Sequence, residues 1–222
     1  MGNRNGENGI GRARIRAVVL DYGEVMCLKP KGETLNRMSK FFALQPVEFF
    51  ERYIPSRGPY DQGALSAEEY WRTFAAGMGI SAGESTIAQL RAWDTEMWSD
   101  VSQEMTDWLA ELDGAGFRTA LLSNMQHDMA AYARENFGWL KHIDAQILSC
   151  EVGLIKPDPA IFHLTAERMG VKPEEALLVD DREANIASAK STGMAAIRFQ
   201  NLGQLRGELA AMGFEVLPRG QN

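Results

Sequence analysis

The sequence has few residues of the kinds that build disulfide frameworks or histidine–cysteine metal sites. Its 222 residues include two cysteines, Cys27 and Cys150, and three histidines, His127, His142 and His163. The cysteines match no CxxC spacing, and the histidines show no metal-ligand spacing. We therefore expect two free, buried thiols and histidines with ordinary surface or helical positions.

Long apolar runs and an excess of basic charge are also missing. No run approaches the roughly 20 residues of a membrane span, and the N-terminus lacks the apolar segment of a signal peptide. The net charge is −7 and the pI is about 5.1, which disfavours non-specific binding to nucleic acid or to an anionic membrane surface. These absences predict a cytoplasmic globular protein with no nucleic-acid partner and no membrane partner.

Five short apolar runs rich in Val, Ile and Leu alternate with helical patterns along the chain. Apolar runs that end in polar residues or Gly are typical of strands buried on both faces of a parallel sheet. Strands that alternate with helices predict an α/β fold with a doubly wound parallel sheet. The runs occupy residues 16–23, 117–124, 145–153, 176–181 and 195–200.

The chain divides into segments of different pattern. Residues 1–12 are polar, glycine-rich and aperiodic, which predicts a disordered tail. Residues 28–103 show helical periodicity and no convincing strand, so we expect a separate helical subdomain inserted after the first strand. Residues 13–27 and 104–222 then form the α/β core.

Polar side chains follow three of the predicted strands. The first strand ends at Asp21, the second at Ser123 and Asn124, and the fourth at Asp180 and Asp181. Because the carboxyl ends of parallel strands lie at one edge of the sheet, these residues should become neighbours. Three converging carboxylates repel each other, and a divalent cation that prefers oxygen ligands, such as Mg²⁺, removes the conflict.

Lys156 adds a positive charge just before a helix that begins with proline. A lysine, the Ser123 hydroxyl and a helix N-terminus together can hold a phosphoryl group. Taken singly, each of these residues has an ordinary structural explanation as a helix cap or a solvated charge. Their joint occurrence in this order favours a site for phosphate chemistry.

Four segments resemble the motifs of the haloacid dehalogenase-like (HAD) superfamily of hydrolases. They read "LDYGEV", "LLSN", "EVGLIKPDPAIF" and "LLVDDREANIASAKSTGM". The resemblance covers nearly all of residues 16–200 and implies a Rossmann-like core with a helical cap between the first two motifs. The general pattern, including "DQGALSAEEYW" in the cap, is most similar to the group that contains glucose-1-phosphate phosphatase.

The resemblance implies a role for each residue that matches a motif. Asp21 would be the nucleophile and form an aspartyl-phosphate intermediate. Ser123 would donate to the oxygens of the transferring phosphoryl group, with Asn124 beside it in the phosphate site. Lys156 would hold both the phosphoryl group and the nucleophile. The implied substrate is a small phosphorylated metabolite.

The resemblance also implies a Mg²⁺ cofactor. Asp181 matches the principal metal-binding acid, and Asp180 would be a direct ligand or a neighbour that supports one. Asp21 and the backbone carbonyl of Gly23 would complete the protein ligands. Asn185 takes the place of a further acid that is often present.

One departure from the family pattern concerns proton transfer. Phosphatases of this family usually carry a second Asp two residues after the nucleophile, where this chain has Gly23. Glu24 lies one position further on and should point to the opposite side of an extended segment. The loss of a positioned acid costs about 10²–10⁴-fold in rate and matters least when the leaving group is already stable as an anion.

Four functions remain open at this stage. A Mg²⁺-dependent phosphatase uses all the strand-end residues, whereas a phosphomutase depends heavily on the missing acid. A metal-independent 2-haloacid dehalogenase needs no acid, but it leaves Asp180 and Asp181 without a purpose, and Tyr22 lies one residue too early for the related dehalogenases. A non-catalytic protein that binds phosphorylated ligands would have kept the fold after losing the acid.

Substrate selection should depend on the helical segment. The stretch "PSRGPYDQG", with Arg57, Tyr60 and Asp61, is the main candidate for contact with substrate, and a plain interhelical loop is the alternative. The sequence predicts neither the natural substrate nor the oligomeric state.

Overall fold

The computed structural model describes residues 15–213 and is built on a five-stranded parallel sheet. The strand order is β3-β2-β1-β4-β5, so the chain starts at the centre and winds outward in both directions. This arrangement confirms the predicted α/β doubly wound, Rossmann-like fold. The strands are β1 (Ala17–Leu20), β2 (Arg118–Ser123), β3 (Ala145–Leu148), β4 (Ala176–Asp180) and β5 (Ala195–Arg198).

Five of the α-helices between β1 and β2 form their own hydrophobic cluster, which is built largely from aromatic side chains. We call them the cap helices. The fourth begins with the expected capping box, in which Ser66 and Glu69 bind each other's backbone N–H groups. The cap helices are α1 (Gly32–Phe41), α2 (Pro46–Ser56), α3 (Gly58–Asp61), α4 (Ala67–Gly77) and α5 (Glu84–Met97).

Six further helices follow the cap helices, and the longer ones cover both faces of the sheet. The alternation of side chains along β1 shows this directly, because Val18 and Leu20 pack with α6, α7 and α11, while Ala17 and Val19 pack with α9 and α10. These helices are α6 (Gln103–Gly114), α7 (His127–Asn136), α8 (Ser149–Val152), α9 (Pro159–Met169), α10 (Glu183–Ser191) and α11 (Leu202–Met212).

The chain leaves the sheet region for the cap helices and returns to it through two adjacent extended segments. Cys27 and Val101 form an antiparallel bridge, and the N–H of Leu28 donates to the carbonyl of Asp100 at 2.8 Å. The N–H of Ser102 donates in turn to the carbonyl of Met26 at 2.9 Å. The two connecting segments are therefore hydrogen-bonded to each other where the helical segment begins and ends.

Cys27 and Cys150 are both free and buried, as expected. No α-helix in the described part of the chain combines the length and apolar character needed to cross a bilayer. The tail expected at residues 1–12 lies outside the described residues.

Candidate active site

The turn after β1 places Asp21 at the carboxyl edge of the sheet. The N–H of Asp21 donates to the carbonyl of Val179 on β4 at 3.0 Å, which continues the sheet pairing as far as this residue. Its Oδ1 atom accepts the N–H of Tyr22 at 2.7 Å, so the carboxylate is held close to the start of the turn. Glu24 has a φ of 51°, a left-handed conformation that turns the chain away from the strand direction.

Three carboxylates meet at this edge, as the order of the strands requires. Oxygen atoms of Asp21, Asp180 and Asp181 all lie within 4.8 Å of one another. Asp21 is 5% exposed and Asp180 is fully buried, while Asp181 is partly exposed. Within residues 15–213, no other group of three or more His, Cys, Asp or Glu side chains comes together this closely.

Lys156 is the cation that contacts this cluster. Its Nζ atom lies 2.8 Å from Oδ1 of Asp21 and 2.6 Å from Oδ2 of Asp180, and it also donates to the carbonyl of Leu122 at 3.0 Å. The amide of Asn124 fixes the backbone of Lys156, because its Oδ1 accepts the Lys156 N–H at 2.8 Å and its Nδ2 donates to the Lys156 carbonyl at 2.9 Å. Asn124 therefore positions the lysine.

Asp180 is a carboxylate whose hydrogen bonds are well satisfied within the protein. It accepts the N–H of Arg182 and both of its oxygens accept Nδ2 of Asn185, each at 2.9 Å, in addition to the Lys156 ammonium. Burial acts to raise the pKa of Asp180, but the ion pair with Lys156 and these donors lower it below the ordinary value. Asp180 is therefore ionised, and Asn185 serves to orient it.

The other two acids have raised pKa values. Burial raises the pKa of Asp21 to about 8, with Asp180 and Asp181 adding to the shift and Lys156 opposing it. Burial, followed by the charges of Asp180 and Glu24, raises the pKa of Asp181 to about 6. The protein alone thus disfavours ionisation of both acids, and an oxygen-binding cation between them would reverse this.

A cavity of about 440 Å³ opens above the cluster, between the sheet edge and the cap helices. Asp180 lies outside the set of lining residues, behind Lys156. The sequence-predicted residues that line it are Asp21, Gly23, Ser123, Asn124, Lys156, Asp181 and Asn185.

A family model for haloacid dehalogenase-like hydrolases matches residues 15–193. The chain belongs to this family. Three curated relatives of this HAD-like hydrolase are named for different activities. Bifunctional epoxide hydrolase 2 of Mus musculus is 29% identical over 213 residues, or 88% of this chain and 38% of that protein. Phosphoserine phosphatase of Thermus thermophilus is 34% identical over 42% of this chain and 38% of its own length, and (S)-2-haloacid dehalogenase 1 of a Pseudomonas species is 30% identical over 42% and 41%.

The aligned segments therefore cover about two fifths of the length of each of these relatives. Two solved structures share the fold of the HAD-like hydrolase over most of its length. A HAD-like family hydrolase from Porphyromonas gingivalis has a TM-score of 0.73 at 25% identity, covering 91% of this chain and all of its own. A HAD family enzyme from Bacteroides thetaiotaomicron, in complex with magnesium and inorganic phosphate, has a TM-score of 0.71 at 22% identity, covering 86% of this chain and 98% of its own.

The cap side of the HAD-like hydrolase contains a buried charge network that the sequence did not reveal. Arg57 donates from Nε and Nη2 to Asp61 at 3.1 and 2.7 Å, and from Nη1 to both oxygens of Asp94 at 2.9 and 3.1 Å. Asp94 also accepts the Tyr53 hydroxyl. The i,i+4 spacing of Arg57 and Asp61 was a usable signal, whereas nothing marked Asp94 on α5 as buried.

Tyr60, which the sequence suggested as a contact for substrate, lies in the cap cluster and is absent from the cavity wall. It is 3% exposed and stacks on Tyr70 with ring centroids 4.4 Å apart. Arg57 and Asp61 do line the cavity, but each is bound to the other. Residues Gly58–Asp61 form the short helix α3, so this part of the stretch is helical and not a plain interhelical loop, and contact of Arg57 and Asp61 with substrate stays a prediction.

The cap helices are joined to the core by polar contacts. Gln126 of the core donates to Asp94 at 3.2 Å, and Arg91 and Asp128 form a bidentate pair with both distances at 2.7 Å. Gly63 has a φ of 77°, and a Cβ atom there would meet the carbonyl oxygen of Cys150 at 2.6 Å. A glycine is therefore required at this close approach of the cap and core backbones.

Proposed function

We propose that this HAD-like hydrolase is a Mg²⁺-dependent phosphatase of a small phosphorylated metabolite, acting through an aspartyl-phosphate at Asp21. The observation that carries the proposal is the cluster of Asp21, Asp180 and Asp181, with Lys156 in contact with two of them. It provides a nucleophile, a metal site and a phosphoryl-binding cation within one cavity wall.

The donor set fits a hard divalent cation. It consists of carboxylate oxygens, two of which belong to acids with raised pKa values. Asp21, Asp181 and the carbonyl of Gly23 would hold Mg²⁺, with Asp180 in contact or supporting them. When bound, the ion neutralises charge on the phosphoryl oxygens. A structural neighbour that binds magnesium and phosphate lends support to this assignment.

The net charge of the cavity wall also favours a cation. Four acids line it, namely Asp21, Glu24, Asp61 and Asp181, against three cations, Arg57, Lys156 and Arg182. Asp94 and Asp180 add two more acids directly behind the wall. A dianionic phosphate ester would be repelled from this surface unless a divalent cation accompanied it.

Each role in the proposed reaction is assigned to a residue of this chain. The Asp21 carboxylate attacks phosphorus, a new P–O bond forms to Asp21, and the ester oxygen leaves with its electron pair. The Ser123 hydroxyl and the Lys156 ammonium donate to the phosphoryl oxygens, and Asn124 keeps Lys156 in place. Water then attacks the aspartyl-phosphate, which releases phosphate and restores Asp21.

Dehalogenation of a 2-haloacid is the second candidate, and Gly23 favours it because a halide leaves without a proton. The Pseudomonas relative carries that activity in its name. Two contacts oppose it. Arg57, a cap cation in the cavity wall, is already paired with Asp61 and Asp94, and a metal-free site leaves Asp181 outside the ion pairs of Lys156.

The deciding experiment measures phosphate release from an aryl phosphate with Mg²⁺ and with a chelator, for the native protein and for Asp21→Asn. We expect activity that needs both the metal and Asp21, while Asp100→Asn, at an exposed acid away from the cavity, behaves as native. Chloride release from 2-chloropropionate that survives the chelator would replace the phosphatase with the dehalogenase. A folded native protein that turns over neither compound but is stabilised by phosphate would be a binding protein.

A further inference from the structure

The cap side of the cavity carries an apolar patch beside Arg57 and Asp61. Phe50 and Ile54 of α2 and Trp98 after α5 face the space above the acid cluster, and Met125 and Met129 continue this surface on the core side. Phe50 and Trp98 lie with ring centroids 6.3 Å apart, so they form one continuous patch. This surface is in position to contact the group attached to a phosphoryl group bound at the acid cluster.

Arg57 and Trp98, the polar cap side chains beside this surface that could donate hydrogen bonds, already have partners within the protein. The guanidinium of Arg57 is shared between Asp61 and Asp94, and Nε1 of Trp98 donates to the Tyr53 hydroxyl at 3.1 Å. Among the described residues, the cap side-chain donors that line the cavity therefore have partners within the cap. A leaving group rich in hydroxyls would lose hydrogen bonds to water and regain few from this wall.

The core side has no acid two residues after the nucleophile, where phosphatases of this family usually carry the proton donor for an alkoxide leaving group. Gly23 provides no side chain, and a Cβ atom built there would meet nothing within 4 Å. Asp61 also lines the cavity and burial raises its pKa to about 6, but both of its oxygens already accept hydrogen bonds from Arg57. Cleavage is therefore favoured when the departing oxygen carries its negative charge without help.

We propose that the substrate is a phosphate whose leaving group is aromatic or similarly apolar and is stable as an anion, such as an aryl phosphate or an aromatic acyl phosphate. This inference rests on the proposed phosphatase function and specifies its substrate class. In the first step the bond between phosphorus and the leaving oxygen breaks, the oxygen departs as phenolate or carboxylate, and the phosphoryl group moves to Asp21. No proton transfer to the leaving group is needed.

The test compares benzoyl phosphate with acetyl phosphate in the presence of Mg²⁺, after subtraction of spontaneous hydrolysis. Both leave as carboxylates, so the proposed function alone predicts that both are hydrolysed. The apolar wall predicts that kcat/KM is at least about tenfold higher for benzoyl phosphate. Equal values, or faster hydrolysis of glucose 1-phosphate, would overturn the substrate class and leave the phosphatase intact. Hydrolysis of neither acyl phosphate would count against the phosphatase itself.

Substitutions in the apolar patch test whether it causes the preference for benzoyl phosphate over acetyl phosphate. Phe50→Ala should reduce the ratio of the two kcat/KM values to about threefold or less, with the larger loss on benzoyl phosphate. Phe41→Ala is the matched control, because Phe41 is a half-buried cap aromatic outside the cavity wall and should leave the ratio unchanged. Ile54→Ala is the second test if Phe50→Ala does not fold. A ratio unchanged in both wall variants would refute the role of the wall.

Discussion

The substitution Gly23→Asp tests whether the absence of an acid at position 23 limits proton transfer to the leaving group. Gly23 has φ −61° and ψ 124°, an extended conformation that any residue adopts, and a Cβ atom there meets open space. An aspartate is therefore admissible without displacement of the turn. It would place a carboxyl group in the cavity wall two residues after the nucleophile, where phosphatases of this family usually carry one.

The expected effect depends on the leaving group. A positioned general acid contributes about 10²–10⁴-fold, so kcat/KM for an alkyl phosphate should rise at least about 100-fold in Gly23→Asp. Acyl phosphates leave without a proton, and their rates should change by less than about threefold. In a series of phosphates of increasing leaving-group pKa, the variant should therefore show a much flatter dependence of log kcat/KM than the native enzyme.

The stability of the variant can be bounded as well. Replacing glycine at a compatible conformation stabilises by about 0.4–1 kcal/mol through the unfolded chain, and repulsion from Asp21 and Asp181 opposes this gain. We expect the free energy of unfolding with Mg²⁺ to change by no more than about 1 kcal/mol, so that rates can be compared directly.

Gly23→Asn is the matched control, since it fills the same space and cannot act as an acid at neutral pH. An equal gain in Gly23→Asn would show that shape, and not proton transfer, limits the native enzyme. A uniform fall across all substrates in Gly23→Asp would refute the reasoning, because it would mean that the space beside the nucleophile is occupied by substrate or water during the reaction.

Two further predictions concern the charges of the site. Lys156→Ala leaves Asp21 and Asp180 buried without their cation, and urea unfolding in chelator at pH 7 should show a loss of about 3 kcal/mol; a loss below about 1 kcal/mol would mean that the acids are accommodated without it. Mg²⁺ binds the ionised forms of Asp21 and Asp181, whose pKa values burial raises to about 8 and about 6, so the affinity measured by calorimetry should be full only above about pH 8. The affinity should fall about tenfold per pH unit between these two values and about 100-fold per unit below the lower one. A constant affinity between pH 7 and 5 would contradict the assignment of the two acids as ligands.

The fold and the acid cluster were accessible from sequence for one physical reason. Strands buried on both faces must be apolar throughout, so the polar residues that end them stand out. Parallel pairing then places Asp21, Ser123 and Asp180 at one edge whatever the details of the helices. The prediction required only the strand pattern and the direction of the chain.

The role of Asn124 was less accessible. From sequence it was grouped with the phosphate-binding residues, because it follows Ser123 at a strand end. The structure shows both polar atoms of its amide bound to the backbone of Lys156, 32 residues away. A long-range contact between a side chain and a backbone leaves no periodic trace in a single sequence, so only the fold could show it.

The buried charge network of the cap also depends on contacts between residues far apart in the chain, so the sequence alone did not predict it. Its hydrogen bonds differ from those of the core acid cluster. Both clusters bury one cation among several carboxylates. In the cap, Arg57 offers a planar set of donors, and Tyr53 and Gln126 add two more, so Asp94 is satisfied within the protein. The charges of that network are paired within the cap and with Gln126, and Phe50, Ile54 and Trp98 form an apolar patch beside it in the cavity wall.

In the core, Lys156 is a point charge that contacts two of three acids. Asp180 gains donors from Arg182 and Asn185, whereas Asp181 lies outside the ion pairs that Lys156 makes. Burial raises the pKa of Asp61 in the cap and of Asp181 in the core alike, to about 6, but both oxygens of Asp61 accept hydrogen bonds from Arg57. Because a buried carboxylate outside an ion pair favours the binding of a cation, the proposed chemistry belongs to the core edge and the proposed choice of leaving group to the cap.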